Sequence, residues 1–255
     1  MAATTHPPEA TGPGPAPAGP GLLLRFDRVE RVVHWVNAVM FGILILTGAA
    51  LYLQPVGGLV GRRALVEDIH VYTGVALPLP LLLALSGSWG RALRQDLGRF
   101  NRWSKTDRVW LRSLFQPAPI RRKEMAALQV GKFNAGQKLN AAFIAGSGLV
   151  MLGTGAIMRW YHPWPLSWRT GATFVHDWLA LGIGLVVIGH IAMALRDPDA
   201  LRSMVVGSVS RSWAKRHAPA WLSGRDHPDA EPRDHPDAGP RRRSRPVPPP
   251  SSRQD

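Results

Sequence analysis

The sequence predicts an all-α fold, an integral membrane four-helix bundle with a disordered tail at each end. Three observations carry this. Four long apolar runs alternate with Arg-rich and Pro-rich stretches, so a mean hydropathy of -0.05 averages over a strong contrast. The basic residues flank those runs, as they do where charge sets the orientation of a membrane protein. Four histidines, His34, His70, His176 and His190, fall within or at the ends of the runs. An ionisable side chain is costly in hydrocarbon and is usually there for function.

Residues 1–24 are rich in Pro, Gly and Ala and read as a disordered extension. The first span runs from about Val32 to Leu53, the second from about Ile69 to Gly87, the third from about Leu139 to Met158 and the fourth from about Phe174 to Leu195. Each covers a hydrocarbon core of about 30 Å at about 1.5 Å per residue. Lipid supplies no hydrogen-bond partner, so each must be helical. Pro78 and Pro80 predict a kink in the second. The first run is too long for a signal peptide and reads as a retained anchor. Together, residues 25–222 form one predicted membrane domain, and residues 223–255 form an Arg/Pro-rich tail. That tail repeats Asp-His-Pro-Asp-Ala at 226–230 and 234–238, so His227 and His235 read as solvated repeat residues.

Charge orients the spans. Residues 89–135 hold 11 Lys/Arg against 3 Asp/Glu, whereas loops 54–68 and 159–172 carry two Arg each. The positive-inside bias places the 89–135 loop and both termini in the cytoplasm. Trp103, Arg108, Trp110 and Arg112 within that loop predict an amphipathic helix on the inner interface. The net charge of +14 belongs to these flanks, so it implies anionic lipid and not nucleic acid. The absence of Cys excludes disulfides, thiolate zinc sites, iron–sulfur ligation and covalent haem attachment.

The histidines pair by depth. His176 and His190 lie 14 residues apart on one helix, roughly 21 Å and nearly four whole turns, so they share a face. His34 begins the first span and His190 ends the fourth, both at the inner side. His70 begins the second span and His176 the fourth, both at the outer side. Each pair can clamp one haem iron between packed helices. Any one of the four, taken alone, also fits an interfacial residue, and His162 reads as a loop residue. Gly48 follows His34 by 14 residues and so faces the outer level. Gly146, Gly148, Gly153 and Gly155 on the third span read as a small-residue packing surface.

Several motifs together carry a family resemblance. Arg25-Phe-x-Arg28-x-Glu30-Arg31-x-x-His34-Trp35, then Thr47-Gly48, resembles the opening of the cytochrome b (gamma) subunit of respiratory formate dehydrogenase. Lys132-Phe-Asn134-Ala-Gly136-Gln137-Lys138 resembles the stretch before that family's third helix. His176-Asp177, His190, Asp197-Pro198 and Ser210-Arg211-x-Trp213 complete a likeness over about residues 24–222.

The resemblance implies an electron-transfer subunit in the bacterial inner membrane, with no formate-oxidising site of its own. It implies two b haems, the inner on His34 and His190 and the outer on His70 and His176. Menaquinone or ubiquinone would be reduced near Asn134, Gly136 and Gln137. The implied partners are an iron–sulfur subunit and a molybdenum or tungsten catalytic subunit. Asn134 and Gly136 also fit a plain helix start. Arg25, Arg28 and Arg31 fit either haem-propionate partners or positive-inside charge. A nickel–iron hydrogenase cytochrome or another quinone-linked cytochrome is the alternative that keeps the haems, and a cofactor-free scaffold or transporter is the other class to be tested.

Overall fold

The computed structural model of the chain describes residues 14–53, 55, 58 and 61–226. Four helical segments are long and apolar enough to cross a membrane: Arg28–Tyr52, Arg63–Ser86, Ala135–Arg159 and Leu166–Arg196. They form two hairpins. Helix α1 (Arg28–Tyr52) packs on α2 (Arg63–Ala76) and its continuation α3 (Leu79–Ser86). Helix α7 (Ala135–Arg159) packs on α8 (Leu166–Arg196). Each hairpin is held internally far more than it is held to the other. The wide faces that remain are apolar, with Leu46 and Leu149 each 72% exposed, as lipid requires.

Pro78 breaks the second span as expected. It has no N–H to donate and its ring crowds the carbonyl four residues back. The Gly74 carbonyl accepts instead from the Leu77 N–H at 3.3 Å, and α3 restarts from the Pro78 carbonyl with Leu82 N–H at 3.0 Å. The 89–135 loop contains three short helices, α4 (Arg91–Asn101), α5 (Lys105–Ser113) and α6 (Ala118–Ala127). A 3-10 turn at Ser88–Gly90 leads into them.

Two tail expectations are corrected. Within the stretch read as disordered, β1 (Pro17–Gly19) and β2 (Leu22–Leu24) form strands. Beyond α8 come α9 (Pro198–Val206), β3 (Ser208–Ser210), α10 (Arg211–His217) and α11 (Pro219–Leu222). The three strands make an antiparallel sheet in the order β1-β2-β3, with Leu23 opposite Val209. Pro/Gly-rich composition masked the short Leu22-Leu23-Leu24 run, whose middle side chain is buried with Val209, Trp213, Ala218 and Trp221. At the other end, residues 223–226 are folded: the Asp226 carboxylate accepts from the Lys132 N–H. Residues 1–13 and 227–255, including His227 and His235, lie outside the described residues.

Gly207 sets the turn between α9 and β3. It takes φ +90°, and a Cβ there would stand 2.6 Å from the Phe26 carbonyl oxygen. Its own carbonyl accepts from the Arg25 and Phe26 N–H groups at 2.8 and 3.0 Å. The chain entering α1 is thereby pinned to the chain leaving α8.

A buried ionic network joins this cap to the bundle. Lys132 Nζ bonds the Asp96 carboxylate of α4 and lies 3.5 Å from Glu30 Oε1 at the start of α1. Arg99 Nη1 donates to the other Asp96 oxygen at 2.6 Å. Glu30 also completes a capping box with Asp27, accepting the Asp27 N–H at 2.7 Å while Asp27 Oδ1 accepts the Glu30 N–H at 2.8 Å. Lys132→Ala removes the cation shared by Glu30 and Asp96, leaving Asp96 with Arg99 alone, and is expected to cost about 3–5 kcal/mol. Thermal denaturation of the detergent-solubilised protein checks this, and an unmoved midpoint would count against the network.

Candidate functional site

The four histidines meet in the pairs that depth predicts. The ring centroids of His34 and His190 are 6.3 Å apart, and those of His70 and His176 are also 6.3 Å apart. Each pair bridges the two hairpins, with His190 and His176 both on α8. The spacing has a chemical meaning. A metal–imidazole bond of about 2.0 Å, with the ring centre about 1.1 Å beyond the nitrogen, separates two axial rings by about 6.2 Å. The residues therefore fit a metal held between two opposed imidazoles.

Among the described residues no group of three or more His, Asp or Glu side chains is placed to hold a bare ion. A two-imidazole clamp is instead what a porphyrin needs, because the macrocycle supplies the other four nitrogens. One further polar group near His34 is unsatisfied. Asn37, one turn along α1 from His34, has a buried amide oxygen without a hydrogen-bond partner among the described residues. A donor from outside the chain fits there.

The His70/His176 pair is tied down by two threonines, of which the sequence reading quoted Thr47 only as part of a motif. Thr47 Oγ1 of α1 lies 2.8 Å from His70 Nδ1, and Thr154 Oγ1 of α7 lies 2.9 Å from His176 Nδ1. A glycine follows each threonine. A Cβ on Gly48 would stand 3.4 Å from His70 Cε1, and one on Gly155 would stand 3.5 Å from His176 Cε1. Gly48 thus faces the level of the His70/His176 pair. Gly155 does so too, whereas Cβ atoms on Gly146, Gly148 and Gly153 would touch nothing within 4 Å. The third span's glycines are therefore not one packing stripe. The signal available in the sequence was the repeated Thr-Gly dipeptide, 23 and 22 residues before His70 and His176.

The other candidate residues divide. Asn134 begins α7 in a capping box: its Oδ1 accepts the Gln137 N–H at 2.9 Å, and Gln137 Oε1 accepts the Asn134 N–H at 3.0 Å. Gln137 is thus occupied as a helix cap, while the Asn134 amide nitrogen has no partner among the described residues. Gly136 makes room for an indole, since a Cβ would stand 2.8 Å from Trp110 Cη2. Its small size is accounted for by Trp110 of α5.

The three arginines are not gathered round the histidines. Arg25 is buried in the cap, 4.4 Å over the Trp213 ring, with Nη1 3.4 Å from Ser203 Oγ. Burial lowers its pKa to about 10, while Asp197 and Asp96 oppose that shift. Arg28 sits about 120° around α1 from His34, at about 100° per residue. Arg31 donates through Nη1 to the Val205 carbonyl and through Nε to the Asp27 carbonyl at 3.2 Å. Arg28 and Arg31 line an outward groove with Val32, Trp35, Val36 and Val205. Arg25 and Arg31 thus have hydrogen-bond partners in the chain. His162 is an exposed loop residue stacked on Tyr161 at 4.4 Å.

Comparison with known proteins gives the family of the chain. The prokaryotic cytochrome b561 family matches residues 25–207. The cytochrome b556 subunit of the nitrate-inducible formate dehydrogenase of Escherichia coli K12 is 27% identical over 210 residues, covering 78% of this chain and 90% of its own. A formate dehydrogenase cytochrome b556 subunit of Haemophilus influenzae is 25% identical over 205 residues, covering 78% and 82%. A second Escherichia coli K12 formate dehydrogenase cytochrome b556 subunit is 24% identical over 211 residues, covering 78% and 91%. The resemblance drawn from the motifs is borne out.

Gly136→Ala forces the Trp110 indole to shift and is expected to lower stability by about 1–3 kcal/mol. The fluorescence-detected melting point reads this loss; equal melting of variant and wild type would show that Trp110 yields freely.

Proposed function

Because this chain belongs to the prokaryotic cytochrome b561 family, we propose that it is the membrane cytochrome b subunit of a formate dehydrogenase. It passes electrons from a periplasm-facing dehydrogenase to the quinone pool at the cytoplasmic side. The two histidine pairs at 6.3 Å carry the reading. His34 and His190 hold the inner b haem, and His70 and His176 the outer one. When bound, each haem supplies a one-electron iron centre. The chain supplies its ligands, its depth in the membrane and its exclusion from water.

The electron donor is a partner. This chain has no Cys for an iron–sulfur cluster. Its relatives are named as formate dehydrogenase subunits. An iron–sulfur subunit and a molybdenum or tungsten catalytic subunit complete the complex in this proposal. The excess of basic residues in 89–135 supports placing that loop, the cap and both termini in the cytoplasm of a bacterial cell, with the membrane as its inner membrane. A nickel–iron hydrogenase is the second candidate for the donor, and the metal found in the co-purified large subunit decides between them.

Asn134 is retained as the quinone contact, with menaquinone or ubiquinone as the substrate. Its oxygen caps α7, which leaves the amide N–H free to donate to a quinone carbonyl. Gly136 and Gln137 shape the same helix start through Trp110 and the cap.

A dithionite-reduced minus oxidised spectrum with a pyridine haemochrome count is expected to give two b haems per chain; none would overturn the proposal. His190→Ala is expected to remove one haem and stop quinone reduction, and full occupancy of both in that variant would sink the ligand assignment. Asn134→Asp keeps a capping oxygen but loses the donor, so quinone turnover is expected to fall about tenfold while haem spectra stay unchanged. Wild-type quinone kinetics in that variant would leave Asn134 as a cap alone.

A further inference from the structure

The two histidine pairs match in spacing but not in their hydrogen bonds. Thr47 Oγ1 lies 2.7 Å from the Ile43 carbonyl oxygen, and Thr154 Oγ1 lies 2.8 Å from the Val150 carbonyl oxygen. A hydroxyl has one hydrogen. Donated to the carbonyl four residues back, it leaves the oxygen to accept from the imidazole. His70 and His176 are thereby fixed with the proton on Nδ1 and a free lone pair on Nε2, the form a ligand nitrogen requires. Neither His34 nor His190 has a hydrogen-bond partner among the described residues. His34 meets Trp35 edge-on, with centroids 5.4 Å apart.

The device is built twice. Thr47-Gly48 on the first helix of one hairpin serves His70 on the next span. Thr154-Gly155 on the first helix of the other hairpin serves His176 on the next. In each case the threonine takes Nδ1 and the glycine clears the space beside Cε1. The two hairpins thus present the same dipeptide to the outer level from opposite sides.

We infer that Thr47 and Thr154 are positioning residues that lower the reduction potential of the outer centre relative to the inner one. The inference rests on the haem assignment proposed above. A hydrogen bond from the second imidazole nitrogen raises the ligand's basicity and fixes its ring. A more basic axial ligand favours the oxidised metal, and second-shell hydrogen bonding is one of the protein's levers on haem potential. Both ligands of the outer centre carry this bond and, among the described residues, neither ligand of the inner centre does. The static hydrogen-bond pattern therefore sets a downhill direction from outer to inner.

The test is a spectroelectrochemical titration of the full chain as wild type, Thr47→Val, Thr154→Val and Thr47→Ser, with low-temperature EPR of the oxidised form. Valine keeps the shape and removes the hydroxyl. Each valine variant is expected to raise the midpoint potential of the same one haem, the one lost in His176→Ala. It should also move that haem's EPR signal and leave the other haem unchanged. Thr47→Ser is expected to return both readouts toward wild type. Unmoved potentials in both valine variants would overturn the inference, as would a shift confined to the haem lost in His190→Ala. Should a valine variant lose the outer haem outright, Thr47→Ser retaining it supports the inference, and equal loss in Thr47→Ser overturns it. A wild type without haem defeats the preceding proposal, whereas two haems with unmoved potentials defeat only this one.

Discussion

Hydrocarbon offers no hydrogen-bond partners, and that constraint explains most of what the polar residues of the four spans do. Their backbones close into helices because nothing else satisfies them. The threonine hydroxyls turn back onto carbonyls of their own helix, Thr47 onto Ile43 and Thr154 onto Val150. The imidazoles of His70 and His176 use those same hydroxyls. Even the break at Pro78 sits where Gly74 can take the Leu77 N–H in exchange. What remains is two pairs of imidazole rings, one from each hairpin, at equal centroid spacing.

The cap solves the opposite problem, which is to bury charge beside a membrane. Glu30, Asp96 and Lys132 come from α1, α4 and the stretch before α7, and their ion pairs hold three separate parts of the chain in one place. Lys138 repeats the theme at smaller scale, donating to Asp107 Oδ2 at 2.9 Å and to the Arg102 carbonyl at 2.8 Å. Asp197 caps α9 through the Ala200 N–H at 3.0 Å and accepts from the Trp213 indole at 3.1 Å. Buried ion pairs do little for net stability against apolar substitutes, but losing one partner is costly. Here they fix where the interfacial helices sit under the bundle.

The bundle and the histidine pairing were legible because they follow from periodicities written along the chain. A rise of about 1.5 Å and a turn of about 100° per residue place His176 and His190 on one face, and charge bias orders their depth. What depended on tertiary contact was not legible. Leu23 sits in a Pro/Gly-rich segment, and its pairing with Pro17 on one side and Val209 on the other makes that segment a strand. Arg25 looked like interfacial charge, yet the Trp213 ring and Ser203 enclose it. Gly136 resembled space for a ligand, and it is space for Trp110. The Asp197, Ser210 and Trp213 motif residues, which helped to carry the resemblance, are joints of the cap. Thr47 and Thr154 fall between these cases: their repeat was visible, but its meaning needed the hairpin geometry.

The pairing of β2 with β3 has a consequence for biogenesis. Leu23 leaves the ribosome early, and its partner Val209 emerges only after the fourth span. At ordinary synthesis rates that delay is on the order of ten seconds or more. During it the β1–β2 hairpin lacks its third strand, and the indole of Trp213, which packs on Arg25, has not yet been made. The cap therefore closes last, as a clasp between the two ends of an already inserted bundle. A chain truncated before Val209 would reach the membrane with its spans intact and its clasp unmade, a form that quality-control proteases could tell from the finished protein.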